Sequence, residues 1–202
     1  MPGHSETHDT RPPAIDGDLT AVTERLRRIT VQVHGSSGGT GSGVIWISNG
    51  LIVTNAHVAR DTAAVVLPGG RAIEARGLAW DPEYDLAALA LDAEGLSAAD
   101  VGDSDRLRVG DLVVAVGSPF GLVGAVTAGV IHAIGPRRTA GSSFIRADLR
   151  LAPGNSGGPL ADARGRVIGI NAMIVGGLAL AVPSNVVARF LAPLRYGAAT
   201  VS

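Results

Sequence analysis

The sequence predicts an all-β fold, arranged as antiparallel barrels or a sandwich. Three observations carry this expectation. From residue 30 onward the chain divides into about a dozen short β-type runs separated by glycine-bearing turns. No helical period lies between successive runs, which argues against a βαβ sheet. At 202 residues, 46% of them hydrophobic and 17% charged, the chain can form one compact unit or two small barrels packed together.

Taken in order, residues 1–17 (MPGHSETHDTRPPAIDG) form a polar, proline-bearing tail expected to be disordered. A short helix is predicted over 18–29, capped by Asp16 or Asp18. Its Leu19, Val22, Leu26 and Ile29 recur at helical spacing, and Arg25, Arg27 and Arg28 suit its C-terminal end. Its apolar stripe is expected to pack on the domain's own surface. Strands follow at 31–34, 44–47, 51–54, 64–67, 71–77 and 86–91. After a polar link over 100–108 come 112–117, 125–134, 144–149, 159–160, 167–174 and 178–182. A last helix fits 185–192, with Ser184 as N-cap, Val186, Val187, Phe190 and Leu191 facing inward, and Pro193 at its end. No repeat is visible in the residues, although two six-stranded halves could share a geometry.

Composition removes several function classes. The net charge is −1 and all 17 basic residues are arginine, so no strong pull toward nucleic acid or an anionic membrane is indicated. The absence of cysteine excludes disulfides, thiolate metal sites and a cysteine nucleophile. His4 and His8 share no spacing with a carboxylate cluster, so no metal site is expected. No apolar run approaches the ~18–20 residues that span a bilayer. The N-terminus has no basic start followed by an apolar core, so as written the protein is expected in the cytoplasm, or exported if a leader was removed.

The stretch Gly154-Asn155-Ser156-Gly157-Gly158-Pro159-Leu160 is the strongest candidate for chemistry. A serine among small residues can turn its hydroxyl outward, and the glycine two positions earlier lets successive N–H groups converge as an oxyanion pocket. Such a serine needs a histidine base and an orienting carboxylate. His57, at the end of the apolar run 51–53, and Asp85, at the mouth of 86–91, are candidates for these parts. A carboxylate there must be exposed or hydrogen-bonded, and a histidine N–H would satisfy it. Asp81 and Glu83 are rival acids read as solvated turn residues, Asp148 as a brace for the serine loop. His34 and His132 are read as structural. The glycine-rich segment 35–43 (GSSGGTGSG) lacks the lysine of a phosphate loop and is followed by a strand, so it is read as a flexible turn.

The order His57, Asp85, Ser156 matches that of chymotrypsin-like proteases, and the wording is closer still to one branch. The sequence resembles the HtrA/Deg family of serine proteases in GSGVIW (41–46), LIVTNAHV (51–58), DPEYDLAALAL (81–91), VGDSDRLRVGDLVVAVGSPFGL (101–122), VTAGVI (126–131), APGNSGGPL (152–160), GRVIGIN (165–171) and LALAVPSN (178–185). The resemblance implies two perpendicular six-stranded antiparallel barrels with the active site between them. The protease domain would span 18–192. Its N-terminal helix and first barrel would lie over 18–107, the second barrel and C-terminal helix over 108–192, and 193–202 would be the C-terminal end.

By motif match His57 is the general base, Asp85 its orienter and Ser156 the nucleophile. The N–H groups of Gly154 and Ser156 would form the oxyanion hole, and no cofactor is implied. Ile170, Asn171 and Ala172, with Leu180 and Ala181, are expected to line the pocket for the residue before the cut. No acid or arginine stands among them, which implies a small or medium aliphatic residue there. The implied substrates are unfolded or misfolded polypeptides, with a catalytically silent peptide-binding or chaperone module as the alternative and an esterase as an enzyme-class rival. The family's serine loop can rest collapsed; here it is expected to sit open. The chain ends soon after Pro183, so no PDZ domain is expected. A homo-oligomer is left open, with trimerisation in doubt because no aromatic residue precedes Trp46. The segment before His57 is also too short for a long regulatory loop.

Overall fold

The computed structural model describes residues 15–36, 38–60, 62–136 and 143–194. Helix α1 (Ile15–Ile29) precedes a first set of strands: β1 (Thr30–Gly35), β2 (Thr40–Ile47), β3 (Leu51–Asn55), β4 (Thr62–Val66), β5 (Ala72–Asp81) and β6 (Leu86–Leu91). A single helical turn, α2 (Ala56–Ala59), separates β3 from β4. The second set is β7 (Leu112–Gly117), β8 (Ala125–Pro136), β9 (Ser143–Asp148), β10 (Pro159–Asp162), β11 (Val167–Val175) and β12 (Leu178–Pro183), and α3 (Ser184–Leu191) follows.

Each set closes into an antiparallel barrel, in the order β1-β2-β3-β6-β5-β4 and β10-β11-β12-β9-β8-β7. The second barrel repeats the strand order of the first, a symmetry that no residue repeat announces. Closure leaves neither barrel an open edge to template aggregation.

The continuous apolar runs have a simple cause: many strands are buried on both faces. Alternation sends Ile45, Ile52, Ala87 and Leu89 into the first barrel, while their neighbours Val44, Val53 and Leu86 point the other way. There they meet Val114, Val116, Phe144, Ile170 and Leu180 of the second barrel in a core shared between the two. Helix α1 seals this seam with Val22, Leu26 and Ile29, all buried, and α3 adds Val186 and Val187. The stripe on α1 is therefore part of the core, as expected, except that Leu19 is exposed.

Several boundaries differ from the sequence reading. Helix α1 starts at Ile15, so Asp16 and Asp18 lie inside it and neither is its cap, while residues 1–14 of the expected tail lie outside the described residues. Residues 40–43, read as turn, form the first half of β2, because Thr40, Gly41, Ser42 and Gly43 pair with His34, Val33, Gln32 and Val31. Strand β5 continues to Asp81, where the carboxylate accepts N–H bonds from Glu83 and Tyr84 to shape the turn before β6. Ser184 is the first residue of α3 rather than its cap, since its hydroxyl donates to Gly102 O instead. Asp148 is exposed, and among the described residues no hydrogen bond joins its carboxylate to the serine loop.

Candidate active site

Strand register brings the histidine and the carboxylate together. Asn55 of β3 pairs with Leu86 of β6, so Asp85, one residue before β6, stands opposite the start of α2. Its backbone has φ +56°, a left-handed value that Asp tolerates at a cost of about 1–2 kcal/mol. Two bonds to its carbonyl hold it there, from Ala56 N at 3.0 Å and Asn55 Nδ2 at 3.0 Å. The carboxylate then takes both donors that His57 offers on that side: the backbone N–H at 2.9 Å and ring Nδ1 at 2.5 Å. An ionised carboxylate requires the proton on Nδ1, which leaves Nε2 as the basic nitrogen. The His57 side chain is 45% exposed and that of Asp85 20%, so the ring opens to the cleft while its orienter is shielded.

The serine loop is tied on both sides. Ser42 of β2 is fully buried, and its hydroxyl donates to Gly154 O at 2.7 Å and accepts from Ser118 N at 3.0 Å. Ser42 N donates to Ser156 O at 2.8 Å. From the other side Asn171 accepts from Gly157 N at 2.8 Å, donates its own N–H to Gly158 O at 2.9 Å, and sends Nδ2 to Pro159 O at 2.9 Å. Gly154 and Gly157 have φ of +104° and +86°. A Cβ on Gly157 would sit 2.0 Å from Ser42 O, so the first barrel's strand packs against a position only glycine can fill.

Within this loop the N–H groups divide cleanly. Those of Asn155, Gly157 and Gly158 are bonded to backbone carbonyls, whereas among the described residues those of Gly154 and Ser156 have no acceptor. The orientation of the first is set by its neighbour: Pro153 O accepts from Phe120 N at 3.2 Å. In a trans peptide the C=O and N–H point oppositely, so anchoring Pro153 O on one side directs Gly154 N–H to the other. The Ser156 hydroxyl donates to Ala172 O at 3.0 Å, and no hydrogen bond joins it to His57 Nε2 in this structure.

Two cavities meet at His57, Pro153 and Ser156. One, of about 380 Å³, is walled by Gly35, Gly39, Thr40, Val58 and Arg60 of the first barrel, with Gly154. The other, of about 320 Å³, is walled by Leu151, Ala152, Asn155, Ala172, Met173 and Ile174 of the second. Of the five residues expected to line a specificity pocket, Ala172 lines this second cavity. Ile170 and Leu180 are buried in the core between the barrels, Ala181 lies inside the second barrel, and Asn171 is the fully buried tether described above. The displacement follows from a bulge: Asn171 pairs with Ala181 and Met173 with Leu180, so Ala172 is skipped and β11 turns its next residues toward the cleft. Among the described residues no cluster of His, Asp and Glu could hold a metal ion.

The family model described as the trypsin-like peptidase domain matches residues 41–170. The chain belongs to that family. Its curated relatives are of the HtrA type. A protein of Ectopseudomonas mendocina, named as a DegP-like periplasmic serine endoprotease, is 36% identical over 203 residues, 92% of this chain and 43% of that protein. One of Bartonella henselae bearing the same name is 44% identical over 155 residues, 71% of this chain and 31% of that protein. The chain thus spans less than half the length of these relatives. Among solved structures, the HtrA-type protease AlgW with a tripeptide superposes with a TM-score of 0.82 at 32% identity, covering 91% of this chain and 64% of that one. AlgW with a decapeptide gives 0.80 at 29% identity, covering 88% of this chain and 67% of that one. The likeness extends to the whole architecture: two closed six-stranded barrels with few helices.

Sequence reasoning missed Ser42, Leu151, Met173 and Ile174. The last three flank the motifs but carry no chemical signature. Ser42 did carry one, a hydroxyl between two glycines, hidden within a segment read as turn.

Proposed function

We propose that this chain is the catalytic domain of an HtrA-like serine endopeptidase. The observation that carries the reading is the meeting, at one cleft, of an oriented His57–Asp85 pair, the Ser156 hydroxyl and two N–H groups without acceptors. In this mechanism Ser156 Oγ attacks the scissile carbonyl as His57 Nε2 takes its proton. The N–H groups of Gly154 and Ser156 hold the oxyanion, and Asp85 stabilises the imidazolium. The protonated ring then gives its proton to the leaving amine. Water repeats the sequence on the acyl-enzyme and releases the acid. A bound peptide's N–H that claims Ala172 O would release the serine hydroxyl toward His57, so substrate binding itself completes the alignment.

The cavity beside Ser156 on the second barrel receives the residue before the cut. Leu151, Ala172, Met173 and Ile174 give it an apolar wall without formal charge, which favours small or medium aliphatic side chains. Reaching a serine between two barrels requires an extended segment, which makes unfolded or misfolded polypeptides the proposed substrates. The names of the relatives support an exported location. No helix among the described residues is long and apolar enough to cross a membrane.

Labelling by a serine-directed fluorophosphonate tests the chemistry: the native protein labels at Ser156, and Ser156→Ala does not. One observation favours a second reading, a peptide-binding module without turnover: the serine hydroxyl rests on Ala172 O. Peptide binding without labelling or cleavage would establish that module instead.

A further inference from the structure

The cavity on the first-barrel side holds one formally charged side chain apart from the titratable His57, that of Arg60. Arg60 follows the helical turn α2 with φ −51° and ψ −43°, so it continues the helical path. His57 and Arg60 are three residues apart on that path and therefore share a face, with side chains one turn from each other. Both line the same cavity. The Asp85 carboxylate is engaged by the N–H and ring of His57, and among the described residues nothing forms an ion pair or hydrogen bond with Arg60. Asp61, next in sequence, lies outside the described residues. The other seven lining residues, from Gly35 to Ser156, are uncharged.

We infer that Arg60 selects substrates with an acidic side chain just after the scissile bond. The inference rests on the endopeptidase reading and extends it to the leaving-group side. The acyl half of the substrate lies along Ala172 and the apolar cavity, and the leaving amine must face His57, which protonates it. The chain beyond that amine runs into the first-barrel cavity, whose 380 Å³ falls within the ~300–1,000 Å³ of ligand pockets. An extended chain advances ~3.3 Å per residue, so a guanidinium one helical turn from His57 meets the first two or three residues after the cut. A carboxylate there gains a charge-assisted, two-pronged partner, whereas a lysine or arginine meets like charge.

The test measures kcat/KM on quenched peptides with one aliphatic residue before the cut and Glu, Gln or Lys at each of the next three positions. C-terminal amides ensure that only side chains are read. The native protein is expected to prefer Glu over Gln about fivefold at one of these positions, with Lys poorest, and to lose much of that preference in ~1 M salt. Arg60→Ala is expected to bring the Glu/Gln ratio near one, and Arg60→Glu to invert the order. Fluorophosphonate labelling of both variants confirms a folded site. Equal cleavage of Glu, Gln and Lys peptides by the native protein overturns the inference alone, as does a Glu preference that survives in Arg60→Ala. Failure of every peptide together with failure to label overturns the endopeptidase reading, and this inference with it.

Discussion

Replacing Ser42 by alanine should weaken both stability and turnover, in amounts tied to each other. Its hydroxyl bridges Gly154 O at 2.7 Å and Ser118 N at 3.0 Å in a fully buried position. If neither group moves, two buried backbone groups lose their best partner, and leaving such groups unsatisfied costs about 1–3 kcal/mol. They have one escape. Ser118 N already lies 3.4 Å from Gly154 O, and closing that gap to the usual ~2.9–3.0 Å would restore a bond. The closure drags Gly154, an oxyanion donor in the proposed mechanism, by about 0.5 Å. Loss of one such donor lowers kcat by ~10²–10³, so a partial displacement is expected to lower it about tenfold.

Ser42→Ala should therefore unfold in urea with a loss of about 1–3 kcal/mol, followed through Trp46 and Trp80 fluorescence. A small stability loss should accompany a large fall in kcat, with KM within about twofold. Native kcat together with a stability loss under about 0.5 kcal/mol would refute the view that this hydroxyl sets the loop.

Asp85→Asn should retain the fold yet lower kcat by about 10³–10⁴, because with its oxygen kept on the His57 N–H the amide turns its NH2 to Nδ1 and favours the wrong tautomer; a loss under about tenfold in a peptide assay would assign the orienting part elsewhere. Gly157→Ala should yield a misfolded or strongly destabilised protein, seen as loss of a cooperative urea transition, because its Cβ would sit 2.0 Å from Ser42 O and 2.2 Å from Thr54 Oγ1 at φ +86°. The Asp103 carboxyl is held below its ordinary pKa by the Asn185 side-chain amide, with the Asp105 N–H as second donor. A lowered folded pKa means a contribution present above the ordinary carboxylate range and lost as pH falls through it. Asp103→Asn should accordingly lose less Tm than the native protein between about pH 5 and about pH 3.

The fold was legible where one physical signal dominated. Runs such as 51–54 and 86–91 were legible as strands because they are short apolar runs bounded by turn residues, the pattern of a strand buried on both faces. The beginning of β2 was not, because Thr40, Gly41, Ser42 and Gly43 have turn-like composition and become strand only by pairing with β1. The same contrast holds at the site. Asp85 could be placed beside His57 because each adjoins a readable strand, and the β3–β6 register does the rest. The wall of the aliphatic cavity could not be placed, because the bulge at Ala172 shifts the faces of β11 by one residue. Before the bulge Ile170 looks inward to the core between the barrels; beyond it Met173 and Ile174 line the cleft.

The bonds that shape the serine loop all come from within the described chain. Ser42 fixes Gly154 O, Phe120 fixes Pro153 O, and Asn171 fixes Gly157 and Gly158. Each bond orients a peptide plane, and together they leave the N–H groups of Gly154 and Ser156 without acceptors. Turning the Pro153–Gly154 peptide over would sacrifice the Phe120 bond and aim a carbonyl at the position that the proposed mechanism gives to the oxyanion. Phe120 itself has φ +52° and is 77% exposed, so the residue that holds this peptide open is both strained and within reach of solvent. The bond that orients this peptide therefore rests on a short segment whose residues 120–123 are all exposed. That segment ends at Gly124, whose carbonyl accepts from Arg27 Nε of α1 at 2.9 Å. The helix that seals the seam between the barrels thus also steadies the segment that orients the Gly154 N–H, the oxyanion donor of the proposed mechanism.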